Sequence, residues 1–371
     1  MTRLPALASL TLLAALVSVL PETAIAFGQE VAPSRQDEFV IATPGGIDEE
    51  EFVTIGGVRQ WVTIRGMDRT NPVLLIVGGT QVDGPGAILS PYVRTFLPWE
   101  RDFTVVQWDP RGMGKSFVEA GGVQDPDLTL DQLVQDGLEL TDYLRQRLGK
   151  SRIVLLGVNF GSTLGVKMAM ARPAAFSAYV GAGQIVSNRA ERERFGYDRL
   201  LRLATAAGDE AALADLRVSG PDPWREPRDP ARVAAFVRAG AKYRPPNPVN
   251  PMRQALGAPH WTMEDLAASQ RAAALAEQRL GRDWGEHFDF STLGPDLAVP
   301  VFVIQGEDND TAPTPMAQAW LDGLRAPSKT FIAIPVAGNH AIETHTADVL
   351  SALNRAVRPV AVAADQAPSR R

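Results

Sequence analysis

The chain has 371 residues, with 43 acidic against 37 basic side chains, a net charge of −6 and no cysteine. This length holds one large α/β domain with an insertion, or two modest domains, and 45% apolar with 22% charged residues is the balance of a folded globular protein. The acidic excess, with no Lys/Arg run interleaved with aromatics, excludes a nucleic-acid partner, and the missing thiols exclude disulfides, thiolate zinc and a cysteine nucleophile.

Arg3, the apolar run 4–20 and Ala24-Ile-Ala26 follow the order of a secretory signal peptide, with a cut expected before Phe27. An uncleaved anchor is the alternative, because the run is nearly long enough to enter a bilayer. Periplasmic or secreted location is therefore expected, with no stable membrane association after cleavage. Residues 27–48 are polar and read as a linker.

From residue 49 the pattern is that of a folded core. Residues 51–55 and 58–65 alternate around Gly56-Gly57 as a hairpin. Val73-Leu-Leu-Ile-Val77 is a fully apolar strand that runs into the glycine-rich loop 78–86. That loop fits neither dinucleotide nor P-loop spacing. It reads instead as an oxyanion loop, whose glycines, Gly78 and Gly79 first, expose backbone N–H groups. Residues 103–108 form the next strand, and Asp109 and Arg111 behind it are expected to hold their loop as a partly buried ion pair. Leucines 133, 138, 140, 144 and 148 recur at helical spacing, and Gly149 stops the helix.

The buried run Ile153-Val-Leu-Leu156 breaks at Gly157 into a helical pattern that reaches Arg172-Pro173. Gly157 and Gly161 bracket the turn with the spacing and strand-turn-helix context of a G-x-S-x-G nucleophile elbow. Asn159 stands where the serine belongs. Asparagine tolerates positive φ better than other residues bearing a Cβ, so the bend survives. A carboxamide, however, has no proton for a histidine to remove and no alkoxide to attack a carbonyl.

Another buried strand covers 178–186, so β and α elements alternate as in a doubly wound, mostly parallel sheet. Residues 187–298 carry no convincing apolar strand and read as an inserted helical lid, broken by the prolines at 221–223 and 245–251. Trp224, Trp261, Trp284, Phe288 and Phe290 belong either to the lid core or to a pocket beneath it. His260 and His287 lack ligand-spaced neighbours, so neither metal nor cofactor is expected. The core resumes over 299–357 with strands at 300–305 and 330–336 and a helix from Pro315 to Leu324. Residues 358–371 read as a disordered tail.

Five motifs together resemble the α/β-hydrolases of the prolyl-iminopeptidase type. They are Ile55-Gly-Gly-Val-Arg-Gln-Trp with Ile64-Arg-Gly, Gly84-Pro-Gly, Val105-Val-Gln-Trp-Asp-Pro-Arg-Gly-Met-Gly-Lys-Ser, Leu156-Gly-Val-Asn-Phe-Gly-Ser, and Ile304-Gln-Gly through Pro313. The resemblance spans 51–185 and 299–355. It implies an α/β-hydrolase fold and a triad in the order nucleophile, acid, histidine, cutting a peptide N-terminus or a small ester.

Carried onto this chain, the nucleophile position is Asn159, the acid position Asn309 and the histidine His340, with Gly78, Gly79 and Phe160 around the oxyanion site. Asp308 or Asp310 is expected to swing in and orient His340 in place of the missing acid. The oxyanion loop also lacks its histidine. The expectation is a hydrolase frame disarmed as a serine enzyme that keeps a pocket for a small-molecule or short-peptide ligand. The alternatives are an active aminopeptidase or esterase, through deamidation of Asn159 to a carboxylate nucleophile, or a non-covalent enzyme with His340 as general base.

Overall fold

Alternation on either side of Gly56-Gly57 closes the first hairpin. In the computed structural model, β1 (Ile47–Ile55) and β2 (Val58–Gly66) pair antiparallel in unbroken register. Both turn glycines have positive φ, 55° and 79°, the backbone that a two-residue hairpin turn demands. The structure describes residues 39–78, 88–224, 229–246, 255, 258–285 and 287–366; the expected signal segment, most of the linker, Gly79 and the Gly84-Pro-Gly motif lie outside them.

Six further strands complete one sheet: β3 (Val73–Gly78), β4 (Thr104–Asp109), β5 (Ile153–Val158), β6 (Phe176–Ala182), β7 (Val301–Gly306) and β8 (Lys329–Ile334). Their order is β1-β2-β4-β3-β5-β6-β7-β8, antiparallel at β1–β2 and β2–β4 and parallel elsewhere. The chain winds outward from β3 to β4, then crosses back to place β5 on the other side of β3. That reversal opens a crevice beyond the carboxyl ends of β3 and β5, where doubly wound sheets hold their ligands. β5 is buried along its whole length, and each of its Ile, Val and Leu side chains contributes about 1.5–3 kcal/mol by leaving water.

Short helices α1 (Val93–Phe96) and α2 (Gly114–Glu119) flank β4. Helix α3 (Leu130–Leu148) starts on the Thr129 side-chain cap and ends at left-handed Gly149, where the leucine periodicity predicts. Helix α4 (Phe160–Ala171) follows β5 through the elbow. The insertion is helical as expected: α5 (Arg189–Ala207), α6 (Glu210–Ser219), α7 (Pro230–Gly240) and α8 (Met263–Gly285). Asn188 and Glu191 form a reciprocal capping box that starts α5. The second core segment adds α9 (Thr314–Gly323), α10 (Ala341–Thr344), α11 (Thr346–Ala352) and α12 (Arg358–Gln366).

Three expectations are corrected. The linker ends before residue 48, because Phe39 is buried and its carbonyl accepts from the Arg65 guanidinium at 2.6 Å. Arg65 is only 3% exposed and must find such acceptors inside the fold, Glu100 at 2.8 Å among them. The tail is helical through Gln366, held by Arg358 Nε donating to Asp102 O at 3.1 Å and by a Lys150–Asp365 ion pair at 2.9 Å. Arg111 does not pair with Asp109. It binds Asp136 (2.9 Å) and Asp125 (3.3 Å), while Asp109 turns its Oδ2 to the Lys115 N–H at 2.9 Å.

Candidate active site

The bend at the end of β5 has the geometry expected of an elbow. Asn159 sits at φ 49°, ψ −118°, a sparsely populated region that costs about 1–3 kcal/mol. Two backbone hydrogen bonds hold it there: Asn159 N–H to Ala182 O at 3.0 Å, and Ser162 N–H to Asn159 O at 2.8 Å. Gly161 is required by close approach, since a Cβ there would lie 2.0 Å from the Val77 carbonyl oxygen. Strand β3 and helix α4 therefore touch backbone to backbone. Phe160, packed edge-on against Trp284 with centroids 5.0 Å apart, fixes the first turn of α4. The N–H groups ahead of Ser162 have no acceptor within the helix and lie at its positive end.

The Asn159 side chain is fully buried, and neither Oδ1 nor Nδ2 has a hydrogen-bond partner among the described residues. Leaving a buried polar group unmatched costs about 1–3 kcal/mol. The carboxamide leans over Gly183, where its Oδ1 lies 2.2 Å, and the Asn339 Oδ1 3.6 Å, from the point a Cβ would occupy. Residues 159 and 339 thus converge on one spot.

The acid turn after β7 supplies the third carboxamide. Asn309, 3% exposed, accepts from the Thr311 and Ala312 N–H groups through Oδ1 at 3.0 and 2.9 Å. Two donors on one oxygen fix the orientation of its amide, so Nδ2 faces outward and donates to Asn339 Oδ1 at 3.4 Å. Direction therefore runs from the backbone of 311–312 through Asn309 to Asn339. Where a carboxylate would accept from an imidazole, a carboxamide donates to a carboxamide.

Asn309 thus meets Asn339, the residue just before the His340 that the resemblance puts in the triad. His340 begins α10, and its Nδ1 stands 4.0 Å from Glu343 Oε1, with 35% of the side chain exposed. The two flanking aspartates are each held by an arginine. Asp308 binds Arg199 of α5 at 2.9 Å, and Asp310 binds Arg244, beyond α7, at 2.7 Å. A carboxylate held by a guanidinium at that distance gives up a charge-assisted bond in order to move.

Other residues near the elbow have structural work. Ser162 Oγ accepts from the Ile185 N–H at 2.9 Å, so it is no substitute nucleophile. Gly78 carries positive φ, 92°, beside the elbow, and a Cβ there would meet the Val158 carbonyl oxygen at 2.4 Å. Two acids stand out electrostatically. Burial pushes Asp109, wholly enclosed, up to about 7, and burial with the adjacent Asp222 pushes Glu193 of the lid up to about 8. Trp284, 1% exposed, joins the main core beside Phe160 rather than a core of the lid, whereas Trp224 packs edge-on against Phe236 in the lid's own cluster. An open cleft of about 820 Å³ lies outside the aromatic group, lined by Leu130, Phe160, Lys167, Arg279, Trp284 and Phe288. Among the described residues there is no group of His, Asp or Glu able to hold a metal ion, and no helix is long and apolar enough to cross a membrane.

Comparison with known proteins agrees with this architecture. The chain is 26% identical over 283 residues, 75% of its own length and 86% of the relative's, to the probable aminopeptidase YbaC of Bacillus subtilis. It is 31% identical over 108 residues, 29% of its length and 32% of the relative's, to the probable proline iminopeptidase of Streptomyces coelicolor. The solved proline iminopeptidase of Mycobacterium smegmatis superposes with a TM-score of 0.58 at 19% identity, covering 85% of this chain and all of that one. No protein-family model matches the chain. The fold is an α/β-hydrolase fold with an inserted helical lid, distantly related at low sequence identity to proline-iminopeptidase-like hydrolases.

Proposed function

We propose that this protein uses the α/β-hydrolase frame to bind a small molecule or short peptide and does not hydrolyse it through an elbow nucleophile. The observation that carries this reading is the convergence of Asn159, Asn339 and Asn309 on the place where a triad would lie. None of the three has a proton that leaves, or a lone pair that takes one, near neutral pH. Loss of the nucleophilic serine alone costs about six orders of magnitude in kcat in a serine protease. Here the orienting acid is absent as well, and Asp308 and Asp310 are both engaged by lid arginines. The peptidase names of the relatives supply the ligand class, short peptides or small amides.

The test is direct. Purified protein is treated with a fluorophosphonate probe, and with aminoacyl and p-nitrophenyl ester substrates. The expected result is neither labelling nor turnover. Stoichiometric labelling, or a one-dalton gain at Asn159 accompanied by activity, overturns the proposal. Turnover without labelling overturns it too, in favour of non-covalent chemistry with His340 as general base.

A further inference from the structure

The elbow side chain is a fully buried carboxamide whose donor and acceptor both lack partners among the described residues. Native interiors seldom leave such a pair unmatched. Asn309 does not compete for it, because its oxygen is fixed by two backbone donors and its amide is spent on Asn339. Both flanking carboxylates are neutralised by Arg199 and Arg244. The local demand is therefore for one donor and one acceptor on a neutral group.

A carboxamide presents C=O and N–H side by side on one edge. Its two-point complement is a group with N–H and C=O on the same side, the logic by which asparagine reads the edge of adenine. From this we infer that Asn159 is the reading edge of a site for a neutral cis-amide: a primary carboxamide, a lactam or a urea. The N–H groups of α4 ahead of Ser162 supply a further donor for the ligand's carbonyl oxygen. A carboxylate ligand sets an oxygen against Asn159 Oδ1, and an ammonium leaves Nδ2 unmatched. This inference rests on the non-hydrolytic reading of the site.

The experiment is ligand-observed saturation-transfer NMR on the full chain with benzamide, N,N-dimethylbenzamide, benzoate and benzylamine. Benzamide is expected to bind at least tenfold more tightly than the other three. The Asn159→Ala and Asn159→Asp variants are expected to lose that preference, the second with its size and backbone demand nearly unchanged. Thermal melts show that each variant is folded, and the aspartate variant keeps the test decisive if the alanine variant is not. Equal binding of benzamide and its dimethyl derivative overturns the inference, as does undiminished benzamide binding by Asn159→Asp. Absence of benzamide binding in a protein that also resists fluorophosphonate overturns the ligand class and leaves the non-hydrolytic reading standing. Conversion of benzamide to benzoate overturns the non-hydrolytic reading itself.

Discussion

At residue 159 the demands of backbone and chemistry separate. The bend needs a residue that accepts φ near 49°, and asparagine meets that need. Acyl transfer needs a deprotonatable oxygen, and asparagine has none. The carboxamides of Asn309 and Asn339 are matched to each other, the amide of the first donating to the oxygen of the second, whereas an aspartate at 309 would accept and a protonated histidine nitrogen at 339 would donate. This predicts how the triad would be rebuilt. The triple variant Asn159→Ser, Asn309→Asp, Asn339→His is expected to label with fluorophosphonate about 10²-fold faster or more than Asn159→Ser alone, the contribution of a positioned general base. The double variant Asn159→Ser, Asn309→Asp, which must rely on native His340, is expected to stay near the single variant. Equal labelling of double and triple variants would show that residue 340 serves the elbow. Glycine spacing in the sequence points to the bend at Asn159, and the family resemblance to the turn that carries Asn309. Neither points to the contact between Asn309 and Asn339, because a side-chain bond across two loops leaves no trace in residue type or spacing.

Among the elements, the strands were legible because their apolar runs are continuous, and α3 because its leucines recur with a cap at each end. The lid's helical character was legible too. Its attachment was not, since ion pairs between residues far apart in sequence leave no periodic trace. Three lid arginines meet the acid turn: Arg199 at Asp308, Arg244 at Asp310, and Arg192 NH1 at Thr311 O, 3.1 Å away. They differ in exposure, and exposure sets their worth. Asp308 has 42% of its side chain exposed against 12% for Asp310, so water screens the first pair more. Arg244 also lies over the Phe236 ring of α7 at 5.0 Å. Arg199→Ala is therefore expected to lower stability by about 1 kcal/mol or less. Arg244→Ala, which leaves an enclosed carboxylate unpaired, is expected to cost about 1–3 kcal/mol. Hydrogen exchange should rise in α7 in the second variant and remain near wild type in the first; the reverse order would contradict this ranking.

For the whole molecule, the consequence lies in how stability depends on pH. Asp109 has its usual value near 3.8 when unfolded and about 7 when folded, because the interior disfavours its charged form. Between these values the native state holds the proton and the unfolded state does not, so the native state binds more protons and stability falls as pH rises. Glu193 acts in the same sense between 4.5 and about 8. Half-buried Asp209, held near 2 by hydrogen bonds led by Lys242, acts oppositely, but its contribution is lost only as pH falls below the ordinary carboxylate range. The midpoint of thermal unfolding is therefore expected to decline from pH 5 to pH 8. Asp109→Asn keeps an oxygen for the Lys115 N–H and cannot ionise, so it should match wild type near pH 5 and exceed it near pH 8. Glu193→Gln should remove a further part of the slope, and its effect should add to the first because the two acids lie in different parts of the fold, one behind β4 and one on α5. Melting curves of wild type, both single variants and the double variant at four pH values decide the matter. A wild-type midpoint that stays level or climbs from pH 5 to 8, or an Asp109→Asn variant with the wild-type slope, would show that Asp109 is ionised inside the fold.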